Sequence, residues 1–219
     1  MKDKKRIIRV LYILKFIAIV ILLMVAVRLF IAQNYHVVSA DMGDTLMQGD
    51  IVLVSKLAYS YASINSGDII VFNHPYMVGR KIIRRVVAVE GQMLEIKDKL
   101  LYVDSKPVPD YLGIKYDDEN IFPKEYSLRD NFGPIQIPSG YVFVMSDNRD
   151  SGDDSRMWGG VGIKQITGKA KIVLFNWDPG PDSPVFESPY ITPLLKIFWH
   201  NIIHFYERID WSRVGVSCS

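Results

Sequence analysis

Cysteine is nearly missing from this sequence: there is one, Cys218, in 219 residues, and it lies beside the C-terminus. A single thiol excludes an intramolecular disulfide and a thiolate-rich metal site, so a folded body outside the cytoplasm has to rest on its apolar core. A surplus of one charge is missing as well, since 26 Lys and Arg stand against 24 Asp and Glu for a net +2. Because these charges are spread along the chain, a basic face for nucleic acid and an acidic disordered tail are both excluded. No internal repeat is visible. Nothing in the residue pattern implies a cofactor.

The chain does have one long hydrophobic run. Residues 10–32 are almost entirely apolar, interrupted only by Lys15 and Arg28 near the two ends. As a helix rising about 1.5 Å per residue they would reach roughly 35 Å, enough to cross a bilayer. Lys15 and Arg28 can carry their charges to the headgroups on long stems. Lys2, Lys4, Lys5, Arg6 and Arg9 precede the run, while residues 33–39 hold no Lys or Arg, so the positive-inside bias places the N-terminus in the cytoplasm. A cleavable secretory signal has the same outline. An uncleaved anchor is preferred because the run continues through Leu29, Phe30 and Ile31 without a small-x-small cleavage site. The expected organisation is a cytoplasmic basic tail (1–9), a transmembrane helix (10–32), an extracytoplasmic β domain (33–180) and a C-terminal extension (181–219).

The expected fold class is mainly β. Runs rich in Val, Ile, Tyr and Phe at 35–39, 51–55, 69–72, 81–89, 100–103, 141–145 and 170–175 read as strands, with Gly, Asn, Asp, Ser and Pro clusters between them. Residues 107–130, polar and with three prolines, read as a long excursion decorating the sheet. Beyond Pro193, Leu194, Leu195, Phe198, Ile202, Phe205, Tyr206 and Ile209 recur every three to four residues, as in an amphipathic helix over 193–209. His200 and His204 are four apart on it. With no third ligand evident they read as polar points on a packed or membrane-facing helix, and no metal site is expected.

Three segments carry a more specific signal. The first is Ser39-Ala40-Asp41-Met42-Gly43-Asp44-Thr45-Leu46 with Gly49-Asp50, directly after the span. The second is Arg84-Arg85-Val86-Val87-Ala88-Val89-Glu90-Gly91. The third runs from Val144-Met145-Ser146-Asp147-Asn148-Arg149 through Asp154-Ser155-Arg156 to Gly159. Together, in order and spacing, they resemble the type I signal peptidase (S26) family, whose corresponding patterns are Ser-x-Ser-Met-x-Pro-Thr-Leu, Lys-Arg-Val-Ile-Gly-x-Pro-Gly, and Val-Met-Gly-Asp-Asn-Arg followed by Asp-Ser-Arg. The resemblance extends from the anchor to about residue 175.

The resemblance implies a signal peptidase-like β-sheet domain and cleavage of export signals by a serine nucleophile with a neutral lysine base. A hydroxyl attacks a peptide only when a base within hydrogen-bond reach takes its proton. In this chain the nucleophile position is Asp41 and the base position is Arg84. A carboxylate would have to form a high-energy anhydride, and a guanidinium stays protonated and has no lone pair to offer. The serine that orients the family's lysine falls on Gly152, beside Ser151. Ser39 and Met42 occupy the cleft and oxyanion-side positions. Lys81, an odd number of residues before Arg84, points to the other face of a continuous strand. Asp147, Asn148, Arg149, Asp154, Ser155 and Arg156 match residues that form the floor of the site through Asp–Arg pairing. That pairing outweighs an aspartic dyad built from Asp41 with Asp44, Asp147 or Asp154.

An aspartate and an arginine at the two dyad positions would neutralise each other, so an Asp41–Arg84 ion pair is expected there. The resulting reading is a catalytically inactive, membrane-anchored relative that binds or positions exported polypeptides through main-chain hydrogen bonds. By resemblance to Gram-positive pilus-associated signal-peptidase-like proteins, its partners would be pilin-like polypeptides and a sortase, besides the bilayer, and no nucleic acid. Two alternatives remain open: an active signal peptidase with displaced catalytic residues, and a structural membrane subunit that binds no peptide.

Overall fold

A computed structural model describes residues 2–110, 113–178 and 191–218. The apolar run forms one helix, α1 (Lys2–Phe30), of which Ile8–Phe30 is long and apolar enough to cross a membrane and is not buried by the rest of the chain. It ends two residues earlier than the hydrophobic run. Ala32 already starts an extended strand, because Ile31 and Ala32 suit a strand edge as well as a helix and the sheet claims Ala32 by pairing.

The strands are β1 (Ala32–His36), β2 (Asp50–Ser55), β3 (Ile69–Asn73), β4 (Lys81–Ala88), β5 (Met93–Lys97), β6 (Leu100–Val103), β7 (Lys106–Pro107), β8 (Phe132–Gln136), β9 (Tyr141–Met145), β10 (Val161–Gly162), β11 (Ile166–Trp177) and β12 (Ile209–Asp210). Short helices α2 (Ala58–Tyr61) and α3 (Ser155–Trp158) lie between strands, and α4 (Ile191–Ile203) and α5 (Phe205–Arg208) precede β12. One sheet runs β1-β2-β11-β3-β4-β9-β10, with β12 paired to β11, and a second runs β7-β6-β5-β8. All these pairings are antiparallel.

The apolar pattern explains the layers. In β2 buried and half-buried residues alternate, as a strand with one core-facing side should. In β4 every residue after Lys81 is buried, so both faces are covered and the sequence reads as a continuous run. Val37, Met42, Leu46, Val52, Val71 and Val173 share one cluster, and Leu94, Ile96, Leu101 and Phe143 share another under the second sheet. Burying each such side chain contributes about 1.5–3 kcal/mol.

Several sequence expectations need correcting. The first strand lies at 32–36 rather than 35–39. Strands β5 and β8 were not expected; Gly133 and Pro134 disguise β8, which escapes the usual veto because it is an edge strand. The amphipathic helix is interrupted at His204, and Ile209 belongs to a strand. The tail is also not separate from the β body. Asn176 and Trp177 pair with Asp210 and Ile209, Ile172 bridges Ser217, and Cys218 sits in the first core cluster. Burial and the nearby Asp50 push the Cys218 thiol up to about 12.

Candidate functional site

The site forms where three stretches of chain meet at the middle of the larger sheet. Residues 39–44 make a turn after β1. It is fixed from below by Asn148 N–H donating to the Asp41 carbonyl at 2.9 Å, and closed by Gly43 N–H donating to the Ala40 carbonyl at 3.1 Å. Gly43 has φ +54, and a Cβ there would stand 2.6 Å from the Gly113 carbonyl, so only glycine lets the 113–115 segment pass so close. That segment belongs to the polar excursion. Instead of decorating the sheet it crosses the site, with Lys115 bridging Asn148.

Strand β4 supplies the second side. Arg84 is paired in register with Ile70 and Arg85 with Ile69 and Met145, so the two guanidinium groups leave opposite faces of one strand. Arg84 is 2% exposed and fully engaged: Nε donates to the Asp153 carbonyl at 3.1 Å, Nη1 to the Ile83 carbonyl at 2.7 Å and Nη2 to Asp41 Oδ2 at 2.7 Å. The Asp41–Arg84 ion pair expected from the sequence is therefore present. Ser39 Oγ donates to the same Asp41 Oδ2 at 2.9 Å. Lys81 is exposed at the start of the strand, away from this cluster.

The floor is held by bidentate pairs, though not by every residue expected in them. Arg85 binds Asp147 through Nε and Nη2 at 2.8 and 2.7 Å, and Arg156 binds Asp154 at 3.0 and 2.7 Å. Ser155 Oγ accepts from Val144 N–H, and Asn148 Nδ2 donates to Asp117 Oδ2 at 2.6 Å. Arg149 takes part in no such pair. It is 3% exposed, and its Nε and Nη1 have no hydrogen-bond partner among the described residues. Burial lowers its pKa from the ordinary arginine value, while Tyr116, Asp110 and Asp147 nearby act the other way. Arg85, not singled out from the sequence, is the true partner of Asp147. The signal for it was present in the alternation of a strand carrying two successive arginines.

Met42 also departs from expectation. Its side chain is 1% exposed inside the first core cluster, so it lines no cleft. Position 152 has no room for a side chain: a Cβ there would lie 2.1 Å from Ser146 Oγ. Ser146 takes up the space that a side chain at 152 would need, and its hydroxyl is buried without a hydrogen-bond partner among the described residues. Asp153, unremarked in the sequence, accepts from Trp158 Nε1 at 2.7 Å and contacts His74 Nε2 at 2.8 Å. Burial would raise its pKa, but His74, Trp158 and Arg84 together hold it below the usual carboxylate value.

From the opposite direction the tail clamps the turn that follows the site. Arg213 Nη2 donates to Asp50 Oδ2 at 2.5 Å and to the Thr45 carbonyl at 3.0 Å, and Asn176 Nδ2 donates to Asp50 Oδ1 at 2.9 Å. His200 and His204 lie far along the sequence from this cluster. Their rings stand 4.6 Å apart, His200 Nε2 accepting from Arg208 and His204 Nδ1 meeting Glu207.

An apolar N-terminal helix thus leads into a β body in which the Ser39–Asp41 turn faces buried Arg84 over a floor of Asp–Arg pairs. Residues 10–177 match the family described as signal peptidase, peptidase S26, and the chain belongs to that family. Among curated relatives, the protein named "Probable signal peptidase I-1" from Synechocystis sp. is 32% identical over 164 residues, covering 72% of this chain and 78% of that protein. Signal peptidase I of Bacillus caldolyticus is 35% identical over 147 residues, covering 65% and 79%. A crystal structure of a signal peptidase I from Enterococcus faecalis V583 is 27% identical and covers 49% of this chain and 97% of that one, with a TM-score of 0.39.

Proposed function

We propose that this chain is a membrane-anchored signal peptidase homologue that no longer cleaves, and that it holds exported polypeptides in an extended conformation beside the membrane. The observation that carries the reading is the 2.7 Å contact between Arg84 Nη2 and Asp41 Oδ2 at the two dyad positions. A paired guanidinium accepts no proton, and a carboxylate bound to it is a poor acceptor for one. Ser39 Oγ donates to that same carboxylate, and among the described residues no amine is hydrogen-bonded to it.

Support for retained binding comes from the sheet. β9 meets β4 only at Arg85, Val86 and Ala88, so the first half of β4 has β3 on one side and no strand on the other among the described residues. An extended segment could add there beside Arg84. The basic residues in the first turns of α1, ahead of its apolar stretch, support a cytoplasmic N-terminus with the β body outside. Pilin-like subunits and a sortase are the partners proposed, by resemblance to pilus-associated signal-peptidase-like proteins.

The second reading is an active signal peptidase. The names of the relatives favour it, since they are called signal peptidase I, and it would need Ser39 to act with a base other than Asp41 or Arg84. The two readings separate when the purified full chain is titrated against a fluorescent peptide carrying a small-x-small site. Saturable binding, unchanged by Ser39→Ala and with the peptide recovered intact, supports the holding function; no binding at any concentration removes it.

A further inference from the structure

The C-terminal helices are built inside out. Along α4 and α5 the half-buried residues are Ile197 and the polar His200, Asn201, His204 and Arg208, the polar ones knitted together by Arg208 donating to Asn201 Oδ1 at 2.8 Å and to His200 Nε2 at 2.6 Å. The opposite stripe, Phe198, Trp199, Ile202, Ile203, Phe205 and Tyr206, is at least half exposed at every position. A helix facing water in a soluble protein carries the reverse arrangement. A contiguous apolar stripe of this kind marks an interaction surface, and its composition, with Trp, Tyr and Phe beside Ile, is that of side chains residing at a membrane–water boundary.

We infer that α4 and α5 form a second membrane contact, an interfacial helix whose Phe198–Trp199–Ile202–Ile203 face enters the boundary between lipid headgroups and acyl chains. The inference rests on the proposed anchoring of α1 in a bilayer. Position favours lipid over a protein partner. The ring of Phe205 packs 6.2 Å from that of Trp177, and Trp177 lines one cavity of about 470 Å³ with His36, Val37 and Val38. His36 follows the end of α1 by six residues, which span at most about 20 Å of fully extended chain. The aromatic cluster is thus tethered close to the point where the span ends, and Trp211, exposed and stacked 5.2 Å from Tyr206, extends it. A helix lying in the interface buries its apolar side about 5–10 Å deep, which matches a face with no cover inside the chain.

Two consequences follow for the site. The β body would be held at two points, so it could not swing freely about residue 31. Arg213, which clamps Asp50 and the Thr45 carbonyl, would sit directly downstream of the membrane-bound segment and fix the site at a set height above the lipid.

The test uses the full chain in phosphatidylcholine–phosphatidylglycerol vesicles containing brominated lipids, with Trp158, Trp177 and Trp211 changed to Phe so that Trp199 reports alone. A companion chain carries F16W as its sole tryptophan. The inference expects Trp199 to lose most of its emission to bromines near the headgroup end of the acyl chain, with a blue-shifted spectrum, and F16W to be quenched by bromines deep in the bilayer. F16W quenched with Trp199 untouched overturns the second contact and leaves the anchor standing. Neither being quenched removes both. Trp199 shielded from acrylamide yet insensitive to bromolipid means that protein covers it, which also overturns the inference. Should the triple replacement not fold, the difference between the native chain and Trp199→Phe gives the same reading.

Discussion

Asp41 Oδ2 accepts two hydrogen bonds at once, from Arg84 Nη2 at 2.7 Å and from Ser39 Oγ at 2.9 Å. One oxygen therefore engages both the buried Arg84 guanidinium and the Ser39 hydroxyl, so both donors are spent on the same carboxylate.

The coupling of the pair is measurable. Arg84 is buried and Asp41 has a quarter of its side chain exposed, so removing the cation alone leaves a partly dry carboxylate without its partner. Arg84→Ala should lower stability by about 2–4 kcal/mol, and Asp41→Ser combined with Arg84→Ala by less. Thermal unfolding of the two variants decides, with equal losses speaking against coupling.

Ser146 and Gly152 form a second coupled position. A serine placed at 152 would collide with Ser146 Oγ, so Gly152→Ser alone should cost about 1–3 kcal/mol by overpacking. Exchanging the two residues, Ser146→Gly with Gly152→Ser, should recover the part due to the collision and leave the part due to the φ of +153 at position 152, which strains any L side chain. A denaturant titration of the single and double variants measures the difference, and the exchange should leave the denaturant slope unchanged.

How much of this was legible in the sequence depends on what each residue reports. Alternating or continuous apolar runs located β2, β3, β4 and β9 closely, because burial writes itself into local pattern. The three motifs located Asp41, Arg84 and the floor, because that chemistry is carried by residue identity. Long-range pairing was not legible. Arg213 meets Asp50 across 163 positions, and Cys218 enters a core built mostly from residues 37–83. No local pattern encodes such distances. Met42 was misplaced for a related reason: position in a motif says nothing about which atom faces the cleft, and its side chain turns into the core.

Removal of the tail should then be costly. Cutting the chain after residue 208 deletes β12, the Arg213–Asp50 pair and buried Cys218, and should lower the unfolding temperature of the β body well beyond the effect of trimming a surface segment. Arg213→Ala, which leaves Asp50 buried without its cation, should reproduce a large part of that loss, about 3 kcal/mol. In the intact protein the Cys218 thiol should resist iodoacetamide at neutral pH until the fold opens, since it is 2% exposed.

A smaller effect tests the hairpins. Asp104 and Ser105 join β6 to β7 with φ of +51 and +63, the left-handed conformation that a two-residue turn of this type requires. Exposed Ser105→Gly should raise stability by about 1 kcal/mol, through relief of a conformation that costs L-residues roughly 1–2 kcal/mol.

Acid should weaken the wall of the site in a defined direction. Asp153 has its folded-state pKa below the ordinary 3.8, so its contribution is complete above that value and is lost as pH falls through the folded one. Trp158, whose indole donates to Asp153, reports the change. Unfolding followed by fluorescence between about pH 5 and pH 2.5 should show a stability loss that Asp153→Asn reduces. The side chain is over a third exposed, so the effect should be modest and shrink in salt.

Proton transfer at Asp41 and Arg84 is tested by mass spectrometry of the purified full chain after long incubation with a peptide carrying a small-x-small site. With Asp41 and Arg84 locked together, the peptide should stay uncut and no serine should carry an acyl adduct. Steady release of the cleaved fragments, abolished by Ser39→Ala, would contradict this.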